Sequence, residues 1–480
     1  MNTGAKLIKK VILIIMMSLL VLLGKAQTNL LFYNSNDQFN SPSFNPAFLT
    51  RNPKFTFSIF PLSGMSVGYN NQAVVKGMLI DFVSGNLTQE KMRGIFRSML
   101  NENVFSQRFE TSLLNFGYNS EIGSFNLRIN EIEQLGTGLK NDFTQFINNP
   151  EFPTIQLNQP KSLYADGVHY REYSLAYAKE IIKNKLTVGL RTKIYFGKAS
   201  LSTEAQGVVT EENGKYFLET SRFINTSLPV NFVFSKDSII TGANTSKGFT
   251  PLKYLFNRKN SGFGIDLGIT YNISQKMELS FSMVDLGKIG WKRNLNRMNL
   301  QGKYEILPQY INNSELNSIT KNPSFSTDVK GDLNQLFKCV IDTTAYSTKL
   351  PSIFYAGWKF NFSPELNFGL VDRFVKLKGM NQNSISLSAN YELSKKITLN
   401  SGYSTIGKSY NNVPFGLIYN WGSGQSYLGT DNLMAFFIPS KVDYAGISFG
   451  TCFNIFISKE KYKWSPYLPF YKEKKHKFKN

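Results

Sequence analysis

The chain has 480 residues, 14% of them aromatic, and a formal net charge of +21, with two histidines and two cysteines. Cys339 and Cys452 stand too far apart in sequence for a disulfide framework, and two thiols alone cannot build a structural zinc site. The basic residues are spread along the chain except at its end, so the charge suits anionic headgroups, lipopolysaccharide or plain solubility rather than nucleic acid.

In chain order, Lys6, Lys9 and Lys10 precede an apolar run over residues 11–23, broken only by Ser18 and followed by Gly24-Lys25-Ala26. A basic head, a short apolar core and small residues before a cut describe a secretory signal peptide over 1–26. The run falls short of the roughly 20 residues a spanning helix needs. Cleavage after Ala26 leaves 454 residues (480 less 26) and a charge of +17 once four lysines depart. No cysteine directly follows the cut, so no lipoprotein anchor is expected.

The segment 27–54 contains Pro42, Pro46 and Pro53, which forbid a regular helix or a central strand. It must be held by side-chain packing, as a plug in a barrel lumen or a piece beneath its floor. Residues 55–69 read as a first strand interrupted by Pro61 and Gly64. Met92, Ile95, Phe96 and Met99 predict a short amphipathic helix over 90–101. Strands follow at 109–118 and 124–132, then a second helical insertion at 138–148.

From Val168 a period-two pattern returns through Tyr173, Leu175, Tyr177, Leu186, Val188, Leu190, Ile194 and Phe196. Further strands are predicted at 201–210 and 216–224, with a turn at Asn213-Gly214. Residues 225–261 read as a long polar loop. The clearest hairpin is 262–292, where Phe263, Ile265, Leu267, Ile269 and Tyr271 alternate with small or polar residues. After Asn272-Ile273-Ser274-Gln275-Lys276, residues Met277, Leu279, Phe281 and Met283 do the same. Tilted strands of about ten residues cross a bilayer.

Residues 291–304 continue the sheet, and 305–350 form the longest non-strand region, with a helix near 332–340. Strands at 353–362, 366–376, 385–391, 397–403, 413–420, 426–431 and 444–457 complete the chain, before a basic tail at 458–480. The short turns share one grammar: an aromatic strand end, a few polar residues, then an apolar residue opening the next strand, as in Tyr271 to Met277 and Tyr391 to Ile397. Short turns on one side and long loops on the other are the mark of an outer-membrane barrel. A soluble sandwich of this length would split into domains of about 100–150 residues with visible linkers. The expected fold is therefore all-β: a transmembrane antiparallel β-barrel of about 14–16 strands over 27–457, with helical loop insertions.

The stretch 262–292, the segment 170–200, Asn45-Pro46-Ala47 and Tyr427-Leu428-Gly429-Thr430-Asp431-Asn432 resemble a Bacteroidota family of uncharacterised proteins. It is domain-of-unknown-function family 5723, and the resemblance covers nearly the whole mature chain. It implies a Gram-negative outer-membrane barrel distantly similar to long-chain fatty-acid transporters and to barrels of type IX secretion. It carries over no catalytic or binding residue.

The chemical inventory is thin. His169 at a strand start and His476 in the tail read as surface groups. No Gly-x-Ser-x-Gly elbow, His-Glu-x-x-His or phosphate loop is present, and Gly262-Phe263-Gly264 opens a strand with no helix after it. No enzyme activity, cofactor or metal site is expected. With the apolar parity toward lipid, Arg128, Arg191, Lys193, Asp266, Glu278 and Arg373 point inward as lumen-lining candidates. Mixed charges there suit a watery pore, a salt-bridged plugged interior or plain structural filling. Asp285 and Asp372 break the alternation and should mark a rim, a bulge or a register change. Two functions stay open: passive passage or binding of a small, hydrophobic solute, and a structural or assembly role in a surface-protein or type IX secretion system. In the second, the tail, with eight lysines against two glutamates, would meet a periplasmic partner or headgroups.

Overall fold

The computed structural model describes residues 30–35, 38–71, 104–139, 163–212, 215–234, 240–246, 249–306, 338–376, 381–407, 409–438 and 442–454. The expected signal peptide, the helix at 90–101, most of those at 138–148 and 332–340, the turn at 213–214 and the basic tail lie outside them.

The first wall strand comes in two halves, β1 (Phe55–Ile59) and β2 (Met65–Asn71), interrupted where Pro61 and Gly64 stand. The wall continues through β3 (Val104–Ser120), β4 (Gly123–Leu139), β5 (Leu163–Ile182) and β6 (Leu186–Glu212). Between β6 and its next wall neighbour come β7 (Lys215–Ser227), β8 (Val230–Phe234), β9 (Ile240–Thr245) and the helix α1 (Pro251–Leu255). The wall resumes with β10 (Asn260–Asn272) and β11 (Met277–Trp291). It then leaves again for β12 (Leu295–Ile306), β13 (Lys338–Asp342) and β14 (Tyr346–Lys349).

Five more wall strands follow: β15 (Ser352–Asn361), β16 (Leu366–Lys376), β17 (Asn381–Ser394), β18 (Ile397–Ile406) and, after β19 (Ser409–Asn412), β20 (Phe415–Asn420). The last are β21 (Gly424–Thr430) and, after α2 (Met434–Phe437), β22 (Tyr444–Phe453). The sheet closes where Phe57 pairs with Phe453 and Met65 with Phe449, giving an antiparallel barrel of 14 wall strands. Closure removes the unpaired edges an open sheet would expose.

Three sequence readings change. Residues 201–210 are no separate strand: β6 runs unbroken for 27 residues, and its outer half leaves the wall to pair with β7, which pairs with β12. The loop read over 225–261 contains the β8–β9 hairpin and α1, whose few alternating residues are too short to register as a period. Lys338, Cys339 and Val340, expected at a helix end, belong to β13 beside β12.

The alternation also changes hand once. β11 carries an extra residue opposite Asp266, and Asp285 takes the left-handed φ of 61° there. Phe281 before the bulge is 52% exposed, whereas Ile289 and Trp291 after it are fully buried. The odd-numbered side chains thus face outward only up to Met283, as a one-residue bulge requires. Asp285 marks that bulge, while Asp372 stays on the outward face between exposed Leu370 and Phe374.

At the end away from the short turns, Asn432 joins β22 to the residues before β20. Its Nδ2 donates to Asn411 O, Asn412 Oδ1 and Tyr444 O, and its Oδ1 accepts from Val413 N and Met434 N. Asn432→Ala strands those buried groups, and urea titration of the refolded barrel should record a loss of about 1–3 kcal/mol. A loss below about 0.5 kcal/mol, ordinary for surface changes, would contradict this account.

Candidate functional site

The N-terminal segment lies inside the barrel, near the end with the short turns. It is built from 3-10 turns at Leu30–Phe32, Ser41–Ser43 and Pro46–Arg51, a form that suits its prolines. Asn45 caps the last of them by accepting from Ala47 N at 3.0 Å, while its amide donates to Ile269 O at 3.3 Å and Phe281 O at 3.2 Å on the wall.

Further bonds run all round. Arg191 Nη2 donates to Pro42 O at 2.7 Å, Ser282 Oγ to Phe44 O at 2.6 Å and Ser280 Oγ to the Tyr33 hydroxyl at 3.1 Å. Phe39 N donates to Gln425 Oε1 at 3.0 Å. Tyr33 and Phe44 pack against Tyr355, Phe48 packs edge-on against Tyr33, and Phe32 and Phe39 pack against Tyr427.

Glycine makes room for this plug. A Cβ on Gly189 would come within 2.4 Å of Pro46 and Ala47 backbone, and one on Gly268 within 2.0 Å of Asn45. Gly357, Gly369, Gly416 and Gly429 stand in the same relation to Tyr33, Asn34 and Phe32. These glycines occupy inward positions a few residues from the short turns. The signal was therefore present in the sequence, as glycine recurring on the polar parity of otherwise aromatic strands.

A charged layer lies beside and beyond the plug. Arg191 Nη1 meets Asp266 Oδ2 at 3.0 Å, and Lys193 Nζ meets Asp266 at 3.0 Å, Asp285 at 2.5 Å and Glu172 at 3.4 Å. Asp285 N donates to Asp266 Oδ1, so the bulge itself holds the acid in place. Arg108 pairs with Glu110 at 3.1 Å and approaches Asp285 at 3.6 Å. Glu278 is separate: it pairs with Arg51 of the plug, with Lys359 at 3.6 Å. Arg128 donates to the plug's Ser43 hydroxyl. Arg373 is buried on β16 with no carboxylate in ion-pair range among the described residues.

Of the six candidates, the structure thus joins Arg191, Lys193 and Asp266, ties Arg128 and Glu278 to the plug and leaves Arg373 apart. Sequence reasoning missed Arg108, Glu172 and Lys359. Their strands carry the same alternation, but nothing in a single sequence ranks one inward charge above another.

An apolar layer follows toward the long-loop end: Ile132, Tyr170, Tyr195, Ile289, Trp291 and Leu350, with the two tyrosines edge to face at 5.4 Å. His169, expected at the surface, is enclosed beside it. Its Nδ1 sits 2.6 Å from the Tyr254 hydroxyl of α1 and its Nε2 2.9 Å from Glu131, which Arg171 meets at 2.6 Å. Burial pushes the Tyr254 hydroxyl above its ordinary pKa, so it stays protonated and bonded to His169. Among the described residues no group of His, Cys, Asp and Glu is arranged to hold a metal ion.

Solved barrels with similar outlines include the TodX deltaS2S3 mutant monoaromatic hydrocarbon channel, 10% identical with a TM-score of 0.43, over 86% of this chain and 94% of its own. The Pseudomonas putida toluene transporter TodX is 10% identical at 0.39, over 87% and 93%. A Pseudomonas aeruginosa FadL homologue is 9% identical at 0.39, over 87% and 94%. At these scores the strand pairings above, not the likenesses, establish the barrel. No curated protein matches the sequence. The model of a family of unknown function, DUF5723, matches residues 46–431, and the chain belongs to that family.

Proposed function

We propose that the chain is an outer-membrane barrel that binds a small, partly apolar solute in its lumen and lets it pass, without catalysis. The observation that carries this reading is the layered interior: aromatic side chains toward the long loops, a charged layer beneath, and the N-terminal segment as floor. Exposed apolar side chains such as Leu175, Leu190, Phe281, Leu387 and Leu428 suit a lipid-facing belt. Tyr177, Tyr271, Tyr391 and Tyr419 near the short turns suit a girdle at one interface, which we assign to the periplasmic side. Secretion would follow cleavage near Ala26.

A second reading is favoured by the packing of the plug, whose residues from Leu30 to Tyr33 and from Ala47 to Leu49 are almost wholly buried. It makes the barrel a closed scaffold for a surface-protein or secretion assembly, with the basic tail as the handle for a periplasmic partner. Uptake of radiolabelled benzyl alcohol separates the two. Cells displaying the barrel should accumulate it severalfold faster than cells carrying an empty vector. Equal uptake, with no binding to the purified barrel, would favour the scaffold.

A further inference from the structure

Most buried cations of the lumen meet an acid: Arg191 and Lys193 meet Asp266, Arg108 meets Glu110 and Arg51 meets Glu278. Arg373 does not. It is 8% exposed, and its Nε and Nη1 have no hydrogen-bond partner among the described residues. Its register neighbours are Tyr355 on β15, whose hydroxyl reaches the guanidinium, and Ser384 on β17. The Ser384 and Ser386 hydroxyls are fully buried and have no partner among the described residues.

Leaving two buried guanidinium nitrogens and two hydroxyls unpaired is costly, and guanidinium N–H groups beside hydroxyl donors match a carboxylate. Gln382 and Ser404 flank these groups, and the other inward neighbours are apolar: Val371, Val375, Ile353 and, across from Ser384, Ile406. Arg128, another buried cation with no acid in range among the described residues, is committed to the plug through Ser43. We propose that Arg373, with Ser384 and Ser386, anchors the carboxylate of a small organic acid whose compact apolar body lies against these side chains. The proposal rests on the reading of the lumen as a solute site.

The test is equilibrium binding of benzoate and of its neutral analogue benzyl alcohol to the purified, folded barrel. Wild type should prefer benzoate. Arg373→Gln should weaken benzoate about tenfold or more while changing benzyl alcohol less than about twofold, since a hydrogen-bonded charge is lost and the apolar contacts remain. Arg373→Lys should keep part of the preference, and Ser384→Ala should weaken benzoate severalfold. A heat-shifted gel band confirms that each variant is folded. Benzoate binding unchanged in Arg373→Gln, or inorganic phosphate binding where benzoate does not, overturns the assignment. If benzyl alcohol binds and enters cells but benzoate gains nothing, the carboxylate site falls and solute passage stands. If neither probe binds or enters, both fall.

Discussion

Replacing Lys193 with methionine should lower the unfolding free energy of the barrel by about 3–5 kcal/mol, because it leaves buried acids without their cation. Lys193 Nζ is the shared partner of Asp266, Asp285 and Glu172, at 3.0, 2.5 and 3.4 Å. Among the described residues, without it Asp266 keeps Arg191 and Asp285 keeps only the more distant Arg108, while Glu172 has no other ion pair. Methionine fills the volume but supplies no charge, and the strands around it deny water an easy approach. Urea titration of the refolded protein measures the loss. Lys185→Met, at the exposed turn over Tyr271, is the control and should shift stability by less than about 0.5 kcal/mol. A Lys193 variant that unfolds within about 1 kcal/mol of wild type would show that the acids do not depend on this cation.

The second large effect is expected at Gly189. Its Cβ would fall 2.4 Å from backbone atoms of Pro46 and Ala47, which cannot rotate aside as a side-chain tip could. The wall there is hydrogen-bonded on both flanks, to β5 and to β10, so it resists bending. Gly189→Val should therefore drive residues 45–48 out of their seat. The cost in stability should be about 1–3 kcal/mol, the usual range for an overfilled core. Solute uptake should rise and the plug should become reachable by reagents. Gly290→Ala is the control, since its Cβ would meet only Ser261 O, at an ordinary 3.5 Å.

Much of the wall was legible because each strand must carry one lipid-facing and one inward face, and that requirement writes a period of two into the sequence. The hairpin of β10 and β11 could be read almost residue by residue. What escaped were features that period cannot encode. The outer half of β6 leaves the wall, and the hidden strands β8, β9, β13 and β14 are only four to six residues long. The bulge at Asp285 reverses the parity, so Ile289 and Trp291 go inward although their spacing from Phe281 and Met283 says outward. The plug was legible only as a segment that could form neither helix nor strand. Its seat depends on contacts between residues more than 200 positions apart, such as Asn45 with Ile269 and Phe281. The inward charges could be listed, but their pairing depends on which strands close the circle.

The central claim is that the N-terminal segment occupies the lumen and that the wall glycines hold it there. Ser41 is buried and its hydroxyl has no partner, so Ser41→Cys is a nearly isosteric reporter. In a background lacking Cys339, with Cys452 already buried, a membrane-impermeant maleimide measures its accessibility in the folded barrel. Labelling should be negligible until the protein is unfolded by boiling, and rapid in the folded Gly189→Val variant. Rapid labelling of Ser41→Cys in the otherwise unaltered folded barrel would contradict the claim.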